Sequence, residues 1–222
     1  MIKIGIDFSM KSPAVCLDKN TQELDFFCFP RTGTAKDKVL ENLNAVGVRV
    51  CQLPNESQLP KKSTIAERER SSLVDAKMQV ESIFLRVESL HMNEDITVGI
   101  EGFSFASTGN RLAQISGYQW LLRYLYLTQG QMAPENFYVF SPMTVKATAG
   151  KGNFKKEEMI AAFIASDDSR LTANPFWLAM KNTPELFQNK KGGWEKPIDD
   201  LVDGYWVLRT LEINAKELLK DS

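Results

Sequence analysis

The chain has 222 residues, enough for one large domain or one domain with a sizeable insertion. At 43% hydrophobic and 25% charged it is too apolar to be disordered, and 27 basic against 28 acidic residues exclude a uniformly basic, histone-like binder while leaving room for a local basic patch. No apolar stretch has the length a bilayer demands, MIKIGIDFS lacks a secretory pattern, and Cys16, Cys28 and Cys51 fit neither a metal spacing nor a full disulfide framework, so an intracellular, cytoplasmic protein with reduced thiols is expected.

The opening alternates: Ile2, Ile4 and Ile6 share one face, and Lys3, Gly5 and Asp7 the other, which predicts a β-strand. Ala14 to Leu17 and Leu24 to Phe29 are two further β-prone runs. Turn signals lie before and between them, so a three-stranded antiparallel meander is expected. Residues 30 to 62 mix Pro, Gly, Thr and Lys around one apolar run and read as an irregular insertion. Thr64 and Glu67 then have capping-box spacing, and Leu73, Ala76, Val80, Ile83, Phe84, Val87 and Leu90 recur at helical intervals.

Ile96 to Ile100 is a buried-type strand ending at Glu101, and Gly102 to Gly109 a loop. From Asn110 to about Gln129 a helix is predicted, with Leu112, Ile115, Leu122 and Leu125 on its apolar side. Ala113, Ser116 and Gly117 leave a small-residue patch on which another helix can pack. Phe137 to Phe140 is a strand closed by Ser141-Pro142. A Gly/Lys-rich loop from Lys146 to Asn153 leads into a helix from about Phe154 to Ala165. Residues 167 to 197, rich in Pro and Gly, read as a second insertion or mobile flap, and a last helix runs from near Ile198 to about Leu219. This order predicts a single α/β domain, helices flanking a mixed central β-sheet.

Four acids lie at element ends: Asp7 and Glu101 end strands, and Asp200 and Asp203 begin the last helix, with Asp199 as a stand-in for one of them. Residues three apart on a helix share a face, so Asp200 and Asp203 can address one spot. Ligand sites of open α/β sheets gather at strand ends. Neighbouring carboxylates repel unless protonated or bridged by a cation, and hard oxygen ligands suit Mg²⁺, with Mn²⁺ as substitute. Two such ions about 4 Å apart serve phosphodiester hydrolysis. The positive end of the last helix is expected to help keep Asp200 and Asp203 ionised. Each acid alone has a plainer reading as a turn starter, a solvated strand end or a helix N-terminal residue. All four together favour catalysis, and Gly204 leaves room beside Asp203.

Lys146, Lys151, Lys155 and Lys156 cluster around Gly150 and Gly152, where backbone can approach a phosphate and Asn153 can cap a helix. Glu157 and Glu158 support the alternative of a solvated turn. Phe103 and Phe105 follow Glu101 in a loop, placed to stack on an unpaired base or to plug the core. The only histidine, His91, is given no role. Trp194, Lys190, Lys191 and Lys196 suit nucleic-acid contact or a polar mobile loop equally.

Gly5-Ile6-Asp7, Ile100-Glu101, Lys146-Ala-Thr-Ala-Gly150-Lys-Gly152-Asn-Phe-Lys155-Lys156 and Asp200-Leu-Val-Asp203-Gly204 occur in an order that resembles the RuvC-like Holliday junction resolvases, of the ribonuclease H-like superfamily. The resemblance implies a ribonuclease H-like fold and a Mg²⁺-dependent homodimer that cuts four-way or other branched DNA. It makes Asp7, Glu101, Asp200 and Asp203 the metal-binding carboxylates. It sets Lys146 and either Lys155 or Lys156 near the scissile phosphate, and Phe103 or Phe105 against the junction. The helix from Asn110 becomes the dimer interface. Ser9 stands where the family usually has glycine, and the Lys/Gly segment is about one residue shorter. Such divergence, with the two insertions, is common in viral or phage members. The competing readings are a nuclease of RNA–DNA hybrids on the same fold and a non-catalytic DNA-binding or assembly module. An actin-like ATPase needs two such domains, and the chain is too short for both.

Overall fold

The computed structural model describes residues 1–20, 22–55, 60, 62–88, 95–102 and 110–218. Period-two patterning at the N-terminus gives strand β1 (Ile2–Asp7), with Ile2, Ile4 and Ile6 buried on one face. Strands β2 (Ala14–Asp18) and β3 (Leu24–Cys28) complete the expected antiparallel meander, with Asp7 opposite Ala14 and Ala14 opposite Cys28. The stretch expected to be irregular is partly regular. It carries helix α1 (Asp37–Ala45) and a short strand β4 (Arg49–Val50), which extends the sheet in parallel beside β3. The sequence obscured it because two residues of strand carry no period.

Helix α2 (Ile65–Glu88) starts at the predicted capping box: the Glu67 amide donates to Thr64 Oγ1 at 3.2 Å, and the Thr64 amide to the Glu67 carboxylate at 2.7 Å. Strand β5 (Ile96–Glu101) pairs in parallel with β1, helix α3 (Asn110–Thr128) follows, and strand β6 (Phe137–Phe140) pairs in parallel with β5. The sheet order is β4-β3-β2-β1-β5-β6. A mixed sheet with its meander on one side and parallel strands on the other, between helical layers, is the ribonuclease H-like fold expected.

One face packs on α2 and α3 through Ile4, Ile6, Val98, Val80, Ile83, Leu122 and Tyr126. Leu73, expected inside, is exposed, whereas Tyr118 and Tyr126 are buried. The other face is covered by α1 together with α4 (Pro142–Ala149), α5 (Lys156–Ile164), α6 (Pro175–Asn182) and α7 (Ile198–Leu218). Gly5 decides how α7 lies. A Cβ there would stand 2.3 Å from the Leu208 amide nitrogen and 2.4 Å from the Gly204 carbonyl oxygen, so only glycine lets the helix backbone rest on β1. Gly99 does the same less severely, facing Leu211 Cβ at 3.2 Å. The helix therefore runs back along β1 and β5, with its N-terminus at their carboxyl ends.

Two expectations for the C-terminal half are corrected. Lys146 belongs to α4, because Ser141-Pro142 begins a helix: Ser141 Oγ accepts from the Thr144 amide at 3.1 Å, and Pro142 takes the first turn. The turn that remains is Gly150–Lys155, and the cap of α5 is Lys155 rather than Asn153. Residues 167–197 are no flap. Phe176, Trp177, Met180 and Phe187 are buried against Phe26, Phe163 and Tyr205. Each such side chain contributes on the order of 1.5–3 kcal/mol, more than a freely swinging segment could give up. Arg170 anchors the segment, reaching Asp18 at 2.8 Å, Asp168 at 2.7 Å and Glu212 at 2.5 Å in a largely buried network. Among the described residues, no helix is long and apolar enough to cross a membrane.

Candidate functional site

Asp7 and Glu101 each lie one residue past the paired Ile6 and Ile100 of parallel neighbours, so they stand side by side at the carboxyl edge of the sheet. They alternate with Gly5 and Gly99, which puts both on the face that α7 covers. The first turns of α7 bring Asp200 and Asp203 over the same edge. All four acids lie close enough that Asp200, Asp203 and Glu101 each repel the Asp7 carboxylate. Folding thus gathers the predicted constellation from three elements that are distant in sequence. Gly204 faces the β2 backbone, where a Cβ would stand 3.4 Å from Ala14 O, an ordinary contact distance.

Positive charge does not balance the cluster. Burial pushes the Asp7 carboxyl well above the usual carboxylate range, and its three acidic neighbours push it further. Asp203 is raised to about 8, first by burial and then by Glu101, Asp199 and Asp200. Glu101 rises to about 7 through burial, although Lys146 and Lys156 pull it down. Asp200 rises to about 6 through burial and Asp199, opposed by Lys196 and Lys156. Burial and mutual repulsion thus oppose the pull of the helix N-terminus on Asp200 and Asp203 and raise both carboxyls. Asp199 differs. Burial raises it too, but Lys196 and Lys156 overcome that and hold it below the usual range.

The basic residues separate by position. Lys156, the first residue of α5, pairs with Asp199 and acts electrostatically on Glu101, Asp200 and Asp203. Lys146 acts on Glu101 from the last turn of α4. Lys155 caps α5, its amide donating to the Glu158 carboxylate at 2.6 Å, and Lys151 is exposed on the turn. Phe103, Phe105 and His91 lie outside the described residues. Trp194 is half-buried against the core, and Lys190 and Lys191 are exposed beside it.

Lys196, read from the sequence only as a nucleic-acid contact or a polar loop residue, lies against the acids themselves. Its Nζ donates to Asp200 Oδ1 at 2.5 Å and lies 2.8 Å from Asp199 Oδ2. Its spacing of three and four from these acids was the available signal, masked because the residue precedes the helix.

The donor set suits a hard divalent cation. It consists of carboxylate oxygens without His or Cys, and Asp200 Oδ2 is buried with no hydrogen-bond partner among the described residues. Still, among the described residues no three Asp, Glu, His or Cys side chains are drawn together as a finished cage. The acids are neighbours without closing on one point. As they stand, they can share protons, attract cations and, with Lys146 and Lys156 near Glu101, receive an anionic ester.

No model of a known protein family matches the chain, and no curated protein matches it in sequence. Solved structures similar to it in fold are Thermus thermophilus RuvC, at 15% identity and TM-score 0.47, and the same organism's RuvC in complex with a Holliday junction substrate, at 12% identity and TM-score 0.47. Each covers 98% of this chain and is covered over 96% of its own.

Proposed function

We propose that the chain is a divalent-metal-dependent endonuclease that resolves four-way or other branched DNA by phosphodiester hydrolysis. The observation that carries this reading is the convergence of Asp7, Glu101, Asp200 and Asp203 on one edge of the sheet with too little positive charge to neutralise them. Mg²⁺ or Mn²⁺ held by these four carboxylates supplies Lewis-acid activation of a water and stabilisation of the leaving oxygen. The protein's own groups do the rest. Lys156, with a mostly exposed ammonium, draws a backbone phosphate toward the acids, and Lys146 adds to the pull from α4. Lys151, on the exposed turn, tracks the flanking backbone. Phe103 and Phe105 follow Glu101 directly in sequence and are assigned to unpaired bases at the branch.

Symmetric cleavage of a junction needs two active centres, so the unit proposed is a homodimer. Between α2 and α3 lies a groove of about 940 Å³ lined by Leu73, Ala113, Gly117, Trp120 and Tyr124. Trp120 is 63% and Tyr124 61% exposed, a large apolar outlay for a free surface.

Asp203→Asn tests the reading. Cleavage of a four-way junction is expected to fall by about 10³-fold or more, while junction binding persists. A wild-type rate in this variant removes the carboxylate assignment. Side-by-side digestion of a junction and an RNA–DNA hybrid decides between the two nuclease substrates.

A further inference from the structure

Lys196 is placed where a lysine ought not to be. It sits just before the N-terminus of α7, whose partial positive charge disfavours a cation by a few tenths of a kcal/mol or more. Its backbone is nevertheless fixed there. The Glu195 amide donates to Phe187 O at 2.9 Å, Ile198 to Glu195 O at 3.0 Å and Leu201 to Pro197 O at 3.0 Å. Phe187 is fully buried, so the turn is tied to the core. From this anchor the ammonium reaches Asp200 Oδ1 at 2.5 Å and Asp199 Oδ2 at 2.8 Å.

The two ends of this contact differ. The Asp200 side chain is 5% exposed, and its second oxygen has no partner among the described residues. The Lys196 side chain is 39% exposed and hangs on a flexible four-carbon stem, so it can swing to solvent once another cation pairs with Asp200. Asp199 keeps Lys156 if Lys196 departs. Of the four convergent acids, Asp200 alone is held by a lysine at hydrogen-bond distance among the described residues.

We propose that Lys196 is a tethered counter-ion for Asp200 that a divalent cation must displace, so that metal entry releases an ammonium beside the acids, where a DNA phosphate would meet it. The proposal rests on the metal-dependent reading above and adds a positioning residue to it. Lys196 restrains the carboxylate until the ion arrives, and it links metal occupancy to backbone binding.

Calorimetric titration of Mn²⁺ into the whole protein without DNA tests this, with wild type, Lys196→Met and Lys196→Arg compared after thermal unfolding shows each folded. Lys196→Met is expected to bind Mn²⁺ about fivefold more tightly, the scale of a partly exposed ion pair, and Lys196→Arg to stay near wild type. Equal or weaker binding by Lys196→Met overturns the proposal while leaving metal dependence intact. If none of the three proteins binds Mn²⁺, both readings fall. Should Lys196→Met not fold, wild type reductively methylated with ¹³C-formaldehyde answers instead: the Lys196 resonance shifts as Mg²⁺ saturates the protein, and an unmoved resonance overturns the release.

Discussion

Two acidic clusters sit along α7, and the fold treats them oppositely. Toward the far half of the helix, Asp18, Asp168 and Glu212 surround Arg170, with Arg209 adding a second guanidinium at 2.8 Å from Glu212. Burial raises Asp168, but hydrogen bonds from Arg170 prevail and hold its carboxyl below the usual range. About 18 Å away along the helix axis, Asp7, Glu101, Asp200 and Asp203 meet with only lysine Nζ groups nearby, and each is raised. Planar guanidinium forks complete the first cluster, whereas point-charge ammoniums leave the second short. The first cluster reads as structure and the second, on the function proposed above, as the cation site, although a cluster of acids looks the same in both when only residue types are counted.

Breaking the satisfied cluster should have the largest effect. Arg170→Met takes the guanidinium from buried Asp18 and leaves Asp168 and Glu212 with Arg209, and it is expected to cost about 3–5 kcal/mol in urea unfolding. A loss under about 1 kcal/mol means that the network does not pin residues 167–197. At the other cluster, Lys156→Ala should lower junction cleavage about 10²-fold while changing stability by no more than about 0.5 kcal/mol. Lys155→Ala should leave the rate nearly unchanged, since that residue caps α5; equal losses for the two would erase the distinction drawn between them.

The smallest effect concerns pH. Asp203, Glu101 and Asp200 titrate higher in the folded protein than when unfolded, so the folded state binds more protons between pH 4 and about 8. Their contribution to metal-free stability is therefore greatest at low pH and is lost as pH rises through these values. Asp203→Asn removes one such group and should stabilise the metal-free protein at pH 8 by on the order of 1 kcal/mol, about 2–4 °C in Tm, with no gain at pH 4. An equal gain at both values would show that repulsion is not the cause.

The sites where apolar runs stop were the legible part. Ile6 gives way to Asp7 and Ile100 to Glu101 at the sheet edge, and Asp200 and Asp203 share a helix face, so strand ends and helical spacing offered these four as candidates, with Asp199 as a stand-in, and the family resemblance singled them out. What it could not supply was the packing partner. Gly5 looks like an ordinary strand residue until Leu208 and Gly204 of α7 are laid on it. Phe176 and Phe187 lie among prolines and glycines that hide their period, so a packed segment reads as a loose one. Ser141-Pro142 serves equally as a strand stop and a helix start, and only the Thr144 amide decides. Lys196 reads from the sequence as a loop or nucleic-acid residue, but its link to Asp200 could not be found because it depends on the turn that Phe187 anchors.

The most direct test is anomalous diffraction from crystals of the whole protein soaked in Mn²⁺. The account predicts density among Asp7, Glu101, Asp200 and Asp203 and none at the Arg170 cluster. Mn²⁺ bound elsewhere, with these four carboxylates unligated, would contradict it.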